Sequence, residues 1–410
     1  MHFRYVLVLL LLLTAAAHAQ PMPDVRWDNP ALWKWSIGHT LDFFDQHAWD
    51  EKTGSYACDL AVDGSHTSET RYLIAVSRMI YGLAHGGRLD RAQRLYAYLK
   101  GTMTRPEAGH GPYFLADTAG TQDVLVVNQQ AYGMCGMVAL LAQTHDAALR
   151  ADLQIAADEF YRRFHDPGPN GGFFDGYDLR TGRPVHTKSY NSTVYVATSF
   201  LAEMDRAMTI GGRPVGDVLT EIGDIVSTHF LDAQTGWIVE NFTEDWKPQW
   251  RDWQLQGQFT IGVTGHNFQA AWLLMRLGDK YDEAARTILQ SMLKKPVYDR
   301  EHGGVFDVFQ RETDQHQWHT NKPWWQNCEA ILACTHAIRA GIVRDPEIVA
   351  LRDRAVDFYF HHFVDPAGGE FDTVTPEGQP TPDATKGNAG KSTYHTVEMA
   401  RYMQLYLGGR

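Results

Sequence analysis

The chain has 410 residues, a formal net charge of −12 and an aromatic-rich composition that includes 12 Trp and 18 Tyr. This acidity, without any dense basic patch, excludes nucleic acid and anionic membrane as expected partners. The length suffices for one large buried core, and an aromatic-rich cleft would suit the C–H faces of sugars.

The first residues read as a targeting segment. Arg4 supplies a basic front, Val6 to Leu13 an apolar run, and Ala17-His18-Ala19 a small-x-small cleavage site. Residues 1–19 are therefore expected to be a secretory signal peptide cleaved near Ala19, leaving a secreted or periplasmic protein. No later apolar run is long enough to span a bilayer. Cys58, Cys135, Cys328 and Cys334 read mainly as buried thiols, and no spacing suggests zinc.

From residue 31 onward the apolar spacing is helical. Twelve helices are expected, over 31–48, 67–86, 89–101, 124–144, 147–164, 189–208, 216–230, 265–278, 280–295, 323–340, 345–363 and 392–407. Connections after the even helices are short and those after the odd ones long. The long ones resemble one another: Asp166 to Asp175, Asp299 to Asp307 and Asp365 to Asp372 each carry a Gly-Gly pair before an aromatic and an Asp. Weaker copies begin at Asp50 and Asp232. Such a repeat predicts helix, Gly turn, short strand, helix. Six helical hairpins linked this way suggest an all-α closed toroid, one domain over 20–410, with the long loops on one face. The N-termini of the even helices open on that face, where negative charge is favoured.

The residues suited to chemistry lie on or just before the even helices. Arg78 sits among apolar neighbours, either paired with a buried carboxylate or held as a cation facing a pocket. Asn128 begins the fourth helix and Asn191 and Tyr195 begin the sixth, as packing groups or as sugar ligands. In Gly265-His266-Asn267-Phe268-Gln269, Gly265 reads as a turn, and His266 and Gln269 share a helical face. The tenth helix opens with Lys322-Pro323-Trp324-Trp325 and reaches Glu329. One Trp can pack inside while the other floors a pocket, and Trp325 and Glu329 share a face. His395 enters the last helix much as His266 enters the eighth. In a closed toroid the two can face each other across the bore as acid and base.

Taken in order, these residues resemble the N-acylglucosamine 2-epimerase superfamily, which includes cellobiose 2-epimerases and mannose isomerases. The markers are Gly265-His266 before Trp272-Leu273-Leu274, Lys322-x-Trp324-Trp325 leading to Glu329, Lys386-Gly387 with Lys391 and His395, and Arg78. The resemblance spans essentially the mature chain and implies an (α/α)6 barrel. It also implies proton transfer at C2 of an open-chain sugar through an enediolate, with His266 and His395 as acid and base. Arg78 would steady the enediolate oxygens, and Trp325 and Glu329 would hold the sugar. It implies no metal or organic cofactor. Two positions depart from the family pattern: Gln269 stands where Glu is usual, and Tyr195 where His is usual. A Gln cannot raise the basicity of His266 by charge as a carboxylate does.

Three other chemistries compete. A uronic-acid lyase could use Tyr195, His266, Asn191, Gln269 and Arg78. A glycoside hydrolase would need two paired carboxylates, for which Glu240, Asp307 and Glu329 are the candidates. A sugar-binding relative would have lost catalysis. The sequence carries no signature of an oligomeric state.

Overall fold

The computed structural model describes residues 21–107, 110–249, 261–294, 297–310 and 317–408. The expected signal peptide lies outside the described residues. Among them, twelve α-helices follow in order: α1 Pro30–His47, α2 Leu73–His85, α3 Leu89–Tyr98, α4 Val127–Thr144, α5 Ala147–Phe164, α6 Tyr190–Val196, α7 Val215–Ile225, α8 Thr264–Leu277, α9 Asp282–Lys294, α10 Trp324–Ala340, α11 Pro346–Phe358 and α12 Tyr394–Gly408. Every expected helix is present.

The even helices form a closed inner ring. Each packs on the next from α2 through α12, and α12 returns to α2. The odd helices lie outside, and α1 packs on α12 to complete the sixth pair. Burial explains the division. Inner α8 buries nearly its whole circumference, from Thr264 to Met275. Outer α9 buries one stripe, chiefly Ala285, Ile288, Leu289 and Met292. A helix apolar all round must be enclosed, whereas an amphipathic one faces water. Small residues let the inner helices approach closely. A Cβ added to Gly136 of α4 would stand 2.5 Å from the Ser77 carbonyl oxygen of α2. Ser77 uses that proximity, donating from Oγ to the Gly133 carbonyl at 3.1 Å and accepting from the Gly136 amide at 2.9 Å.

Two expected helices are shorter than predicted. Residues 67–72 precede α2 in extended form: Tyr72 bridges Asp117, and the Leu73 amide donates to the Ala116 carbonyl at 2.9 Å. After α6 one π-helical turn, Ala197–Leu201, completes the rod, and the chain then turns into a hairpin pairing Thr209–Ile210 with Arg213–Pro214. Gly211 and Gly212, at φ 59° and 76°, make that hairpin possible.

The long loops bear out the internal repeat. The same antiparallel bridge follows four outer helices, as His165 to Phe173, Leu231 to Ile238, Tyr298 to Val305 and Val364 to Glu370. The first copy is the two-residue ladder of Trp49–Asp50 with Ser55–Tyr56. In three copies a buried lysine clamps the turn. Lys188 Nζ donates to Asp166 at 2.7 Å and to the Gly171 carbonyl at 2.6 Å. Lys322 Nζ donates to Asp299 at 2.8 Å and to the Gly303 carbonyl at 2.7 Å. Lys386 Nζ donates to Asp365 at 2.6 Å. Each buried cation thus meets a carboxylate that is itself turned inward, which is what burial of charge requires. All four cysteines are free and buried. Among the described residues no helix is long and apolar enough to cross a membrane.

Candidate active site

The inner helices open on the long-loop face, and His266 and His395 lie in the first turns of α8 and α12. Gly265, read from sequence as a turn, does not have a positive φ. Its requirement is close approach: a Cβ there would stand 2.6 Å from both Trp325 and Gln326 of α10. The Gly265 amide donates to Gln326 Oε1 at 2.6 Å, and Gln326 Nε2 donates to Asp307 at 2.5 Å. These bonds hold the start of α8 against the start of α10.

His266 is poised between two groups. Its Nδ1 lies 2.9 Å from Glu240 Oε2, and its Nε2 lies 2.8 Å from the Tyr195 hydroxyl. Tyr190 stacks on the imidazole, with centroids 3.8 Å apart and planes 15° apart. Glu240 comes from the loop after α7. There Asn241–Thr243 pairs antiparallel with Thr187–Ser189, the strand that leads into α6. The Tyr190 amide donates to the Glu240 carbonyl at 2.8 Å, fixing the residue beside α6. A carboxylate on Nδ1 favours the tautomer with Nδ1–H and leaves Nε2 as an acceptor for the Tyr195 proton. Burial pushes the Tyr195 phenol well above its ordinary range, so it keeps that proton.

His395 has the same arrangement deeper in the barrel. Its Nδ1 lies 3.0 Å from Glu329 Oε1 on α10. The same oxygen accepts from Gln269 Nε2 at 3.0 Å, and Gln269 Oε1 accepts from Tyr190 at 2.7 Å. A hydrogen-bonded chain therefore runs from the ring stacked on His266 to the carboxyl on His395. Burial, with Arg78, Lys391 and His266 adding to it, pushes the His395 imidazole well below its ordinary range. It is neutral at physiological pH. Burial, with the nearby Glu398 adding to it, pushes Glu329 well above the ordinary carboxylate range.

Trp325 lies between the two stations, its ring 5.5 Å from that of His266 and 5.7 Å from that of His395. Trp325 is half-buried, whereas Trp324 is packed inside against His395 and Lys391. Arg78 makes no ion pair among the described residues. Its guanidinium lies 4.1 Å over the Tyr132 ring and donates to the Gly390 carbonyl at 2.5 Å, while its buried Nε has no partner. The paired-carboxylate alternative for Arg78 is thus not what the structure contains.

The other sequence candidates divide. Gln269 is fully buried as a bridge rather than exposed to a ligand. Asn128 is half-buried in the first turn of α4, where its Oδ1 accepts from the Gln129 amide at 3.0 Å, and Asn191 is exposed in the first turn of α6. Lys322 is not brought to the histidines. It is fully buried in the loop clamp, and the Pro376 carbonyl at 2.6 Å completes its set of acceptors. Its position two residues before Trp324 marks the repeat, as Lys188 does before α6. Glu240 was legible only as one of several possible hydrolase acids. Its loop position carries no helical phase to tie it to His266, which lies 26 residues away.

One atom each of Glu329, His395 and Glu398 lie within 4.8 Å of one another, the described grouping nearest to a cation site. His395 Nδ1 is engaged by Glu329, and Glu398 Oε1 accepts from the Tyr394 hydroxyl at 2.8 Å, while Glu329 Oε2 and Glu398 Oε2 have no hydrogen-bond partner.

Comparison with known proteins agrees with this architecture. Cellobiose 2-epimerase from Spirochaeta thermophila DSM 6192 superposes with a TM-score of 0.79 at 17% identity, over 93% of this chain and 96% of that one. A D-mannose isomerase superposes with a TM-score of 0.80 at 17% identity, over 92% and 98%. A family 76 glycoside hydrolase (mannosidase) from Bacteroides thetaiotaomicron VPI-5482 shares the fold less closely, with a TM-score of 0.62 at 12% identity over 92% and 100%. At these identities the likeness establishes the (α/α)6 barrel. No curated protein sequence matches significantly. The family model of N-acylglucosamine 2-epimerase matches residues 54–399, and the chain belongs to that family of carbohydrate epimerases and isomerases.

Proposed function

We propose that the protein interconverts sugars by moving the C2 proton of an open-chain aldose, free or at the reducing end of an oligosaccharide, with His266 and His395 as acid and base. The observation that carries this reading is the pair of histidines at the mouths of α8 and α12. Each has Nδ1 engaged by a carboxyl group, at 2.9 Å and 3.0 Å, and Trp325 lies between them. Engagement of Nδ1 fixes the ring and leaves Nε2 to act. Removal of the C2 proton leaves the electron pair in an enediolate. Arg78 is a buried cation free of any carboxylate partner among the described residues, suited to that developing charge. Proton return to the opposite face of C2 gives the epimer, and return to C1 gives the ketose.

Tyr195 enters as part of the first station. It donates to His266 Nε2 at rest, so substrate must displace this contact or receive its proton through it. A hydrolase is disfavoured because Glu240 and Glu329 are each turned to a histidine instead of toward a shared substrate bond.

The test is proton NMR in heavy water on the mature protein with mannose, glucose, N-acetylglucosamine, cellobiose, mannobiose and a uronic oligosaccharide. Loss of a C2–H signal with new epimer or ketose resonances is expected. New vinyl resonances from the uronic chain would overturn the reading in favour of a lyase. Export belongs to the same proposal, on the strength of residues 1–19. A periplasmic or secreted product whose N-terminus lies near Gln20 is expected, and an unprocessed cytoplasmic chain would refute it.

A further inference from the structure

The two imidazoles differ in what their Nε2 atoms meet. His395 is engaged at Nδ1 by Glu329, and its Nε2 makes no hydrogen bond among the described residues. His266 has both nitrogens committed. Glu240 lies 2.9 Å from Nδ1, the Tyr195 hydroxyl lies 2.8 Å from Nε2, and Tyr190 covers one face of the ring. The Tyr195 ring meets the imidazole edge-on, with centroids 5.4 Å apart and planes at 84°. It is held there from the second turn of α6 by T-shaped contacts with Tyr190 at 5.1 Å and Tyr132 at 5.6 Å. Tyr132 in turn carries the Arg78 guanidinium over its ring at 4.1 Å. Glu240, His266 and Tyr195 thus form a carboxylate–imidazole–phenol relay. Its outer end is a hydroxyl, set near the one cation suited to an enediolate.

The two fates of an enediolate make different demands. Epimerisation needs a carbon acid and base on each face of C2, with no net movement of oxygen protons. Because it runs in both directions, the group that protonates C2 on one face must also deprotonate it there. Isomerisation to a ketose needs a base on one face only, but it also needs the O2 proton carried to O1. His395 can serve one face. On the other, His266 Nε2 is covered by the Tyr195 hydroxyl. Burial pushes that phenol well above its ordinary range, so it is no base toward carbon. A hydroxyl both accepts and donates, which is what carrying a proton from one oxygen to its neighbour requires.

We propose that Tyr195 is a catalytic residue that shuttles the hydroxyl proton of an open-chain aldose from O2 to O1, and that by covering His266 Nε2 it restricts the protein to aldose–ketose isomerisation of sugars with a free 2-hydroxyl. The inference rests on the sugar-interconverting reading above and narrows it to one product and one substrate class. His395 Nε2 takes the C2 proton. The C–H electron pair becomes the C1–C2 double bond, and the carbonyl pair moves to O1. The O2 proton passes to the Tyr195 oxygen as the phenol proton passes to His266 Nε2, where Glu240 faces the imidazolium. The imidazolium then returns a proton to Tyr195 as the phenol gives its own to O1. His395 delivers its proton to C1 while the O2 electron pair closes the C2 carbonyl. Every protein group ends as it began. A 2-acetamido sugar has an amide nitrogen in place of the 2-hydroxyl and cannot feed this relay.

The test follows initial products by proton NMR, using the mature chain and its Tyr195→Phe variant on mannose, glucose, cellobiose and N-acetylglucosamine. With the wild type, a 2-hydroxy sugar that turns over should give ketose ahead of its C2 epimer, and N-acetylglucosamine should give neither. In Tyr195→Phe the ketose-to-epimer ratio should fall by about 100-fold, the contribution of a positioned proton carrier, with KM and circular dichroism kept. A phenol that merely packs would change rate or stability and leave the ratio where it was. The inference is overturned if the wild type forms the C2 epimer as fast as the ketose, if it epimerises N-acetylglucosamine, or if the ratio survives in Tyr195→Phe. Should Tyr195→Phe not fold, the wild-type products on the hydroxy and acetamido sugars decide alone. Loss of C2–H with the epimer as product would overturn the inference and uphold the broader reading. No loss of C2–H from any of these sugars in heavy water would refute that reading, and the inference with it.

Discussion

The two histidine stations share a design and differ in their surroundings. At the mouth, the His266 and Glu240 side chains retain 13% and 17% exposure; deeper in the bore, His395 and Glu329 retain 4% and 0%. The carboxylate of the first station comes from a loop and can be rehydrated. That of the second comes from an inner helix and shares its space with Glu398. The same imidazole–carboxyl pairing therefore stands in reach of solvent in one place and is enclosed in the other.

The largest expected effect comes from removing either ring. His266→Ala and His395→Ala should each lower C2 proton exchange by roughly 10²- to 10⁴-fold, the usual worth of a positioned acid or base, with the fold kept by circular dichroism. Full exchange in either variant would break the two-station scheme. The next effect separates the stations. Glu240→Gln removes a charge that water can partly replace, so kcat should drop by about tenfold while the melting temperature holds within a few degrees. Glu329→Gln alters the fully buried partner of His395 Nδ1, which water cannot replace, and should cost about 100-fold or more. Equal losses would show that the stations are not differently built. A smaller effect is expected from Gln269→Glu. The sequence pattern makes this change look like restoration of a family carboxylate. In the structure, residue 269 faces Glu329, not the His266 ring, and Glu240 already supplies the charge at His266. Gln269→Glu should therefore lower stability by about 1–3 kcal/mol and give no gain on any family substrate. Lys322→Met should change turnover per folded molecule least of all, since its ammonium lies in the loop clamp. Thermal unfolding should still show a loss of about 3 kcal/mol or more from the orphaned Asp299. A selective rise in KM in that variant would restore Lys322 to the site.

One titration has a stability consequence of defined sign. Glu398 is lifted to about 7 from an ordinary 4.5, so folding takes up a proton between those values. The contribution is present below 4.5 and is lost as pH rises through 7. Comparison of wild type with Glu398→Gln across that window reads it directly.

The architecture was legible in the chain because its signals are local. Helical periodicity, alternating link lengths and the recurring Gly-Gly turns specify six hairpins, and a helix apolar all round can only lie inside a ring. His266, His395, Trp325 and Glu329 were legible because each occupies the first turns of an inner helix. What only the tertiary structure decided is which side chains meet across the bore. Glu240 reaches His266 through a strand pairing that no periodicity encodes. Lys322 and Gln269 look like ligands in sequence, yet both are consumed by buried partners from other loops and helices. Glu398 reads as an ordinary helical Glu until the ring closes around it. Burial lifts its carboxyl to about 7 only once that ring has closed. Sequence determined the ring and its stations because backbone pattern is short-range; the charge state within the ring is set by burial and by contacts that exist only once the barrel is closed.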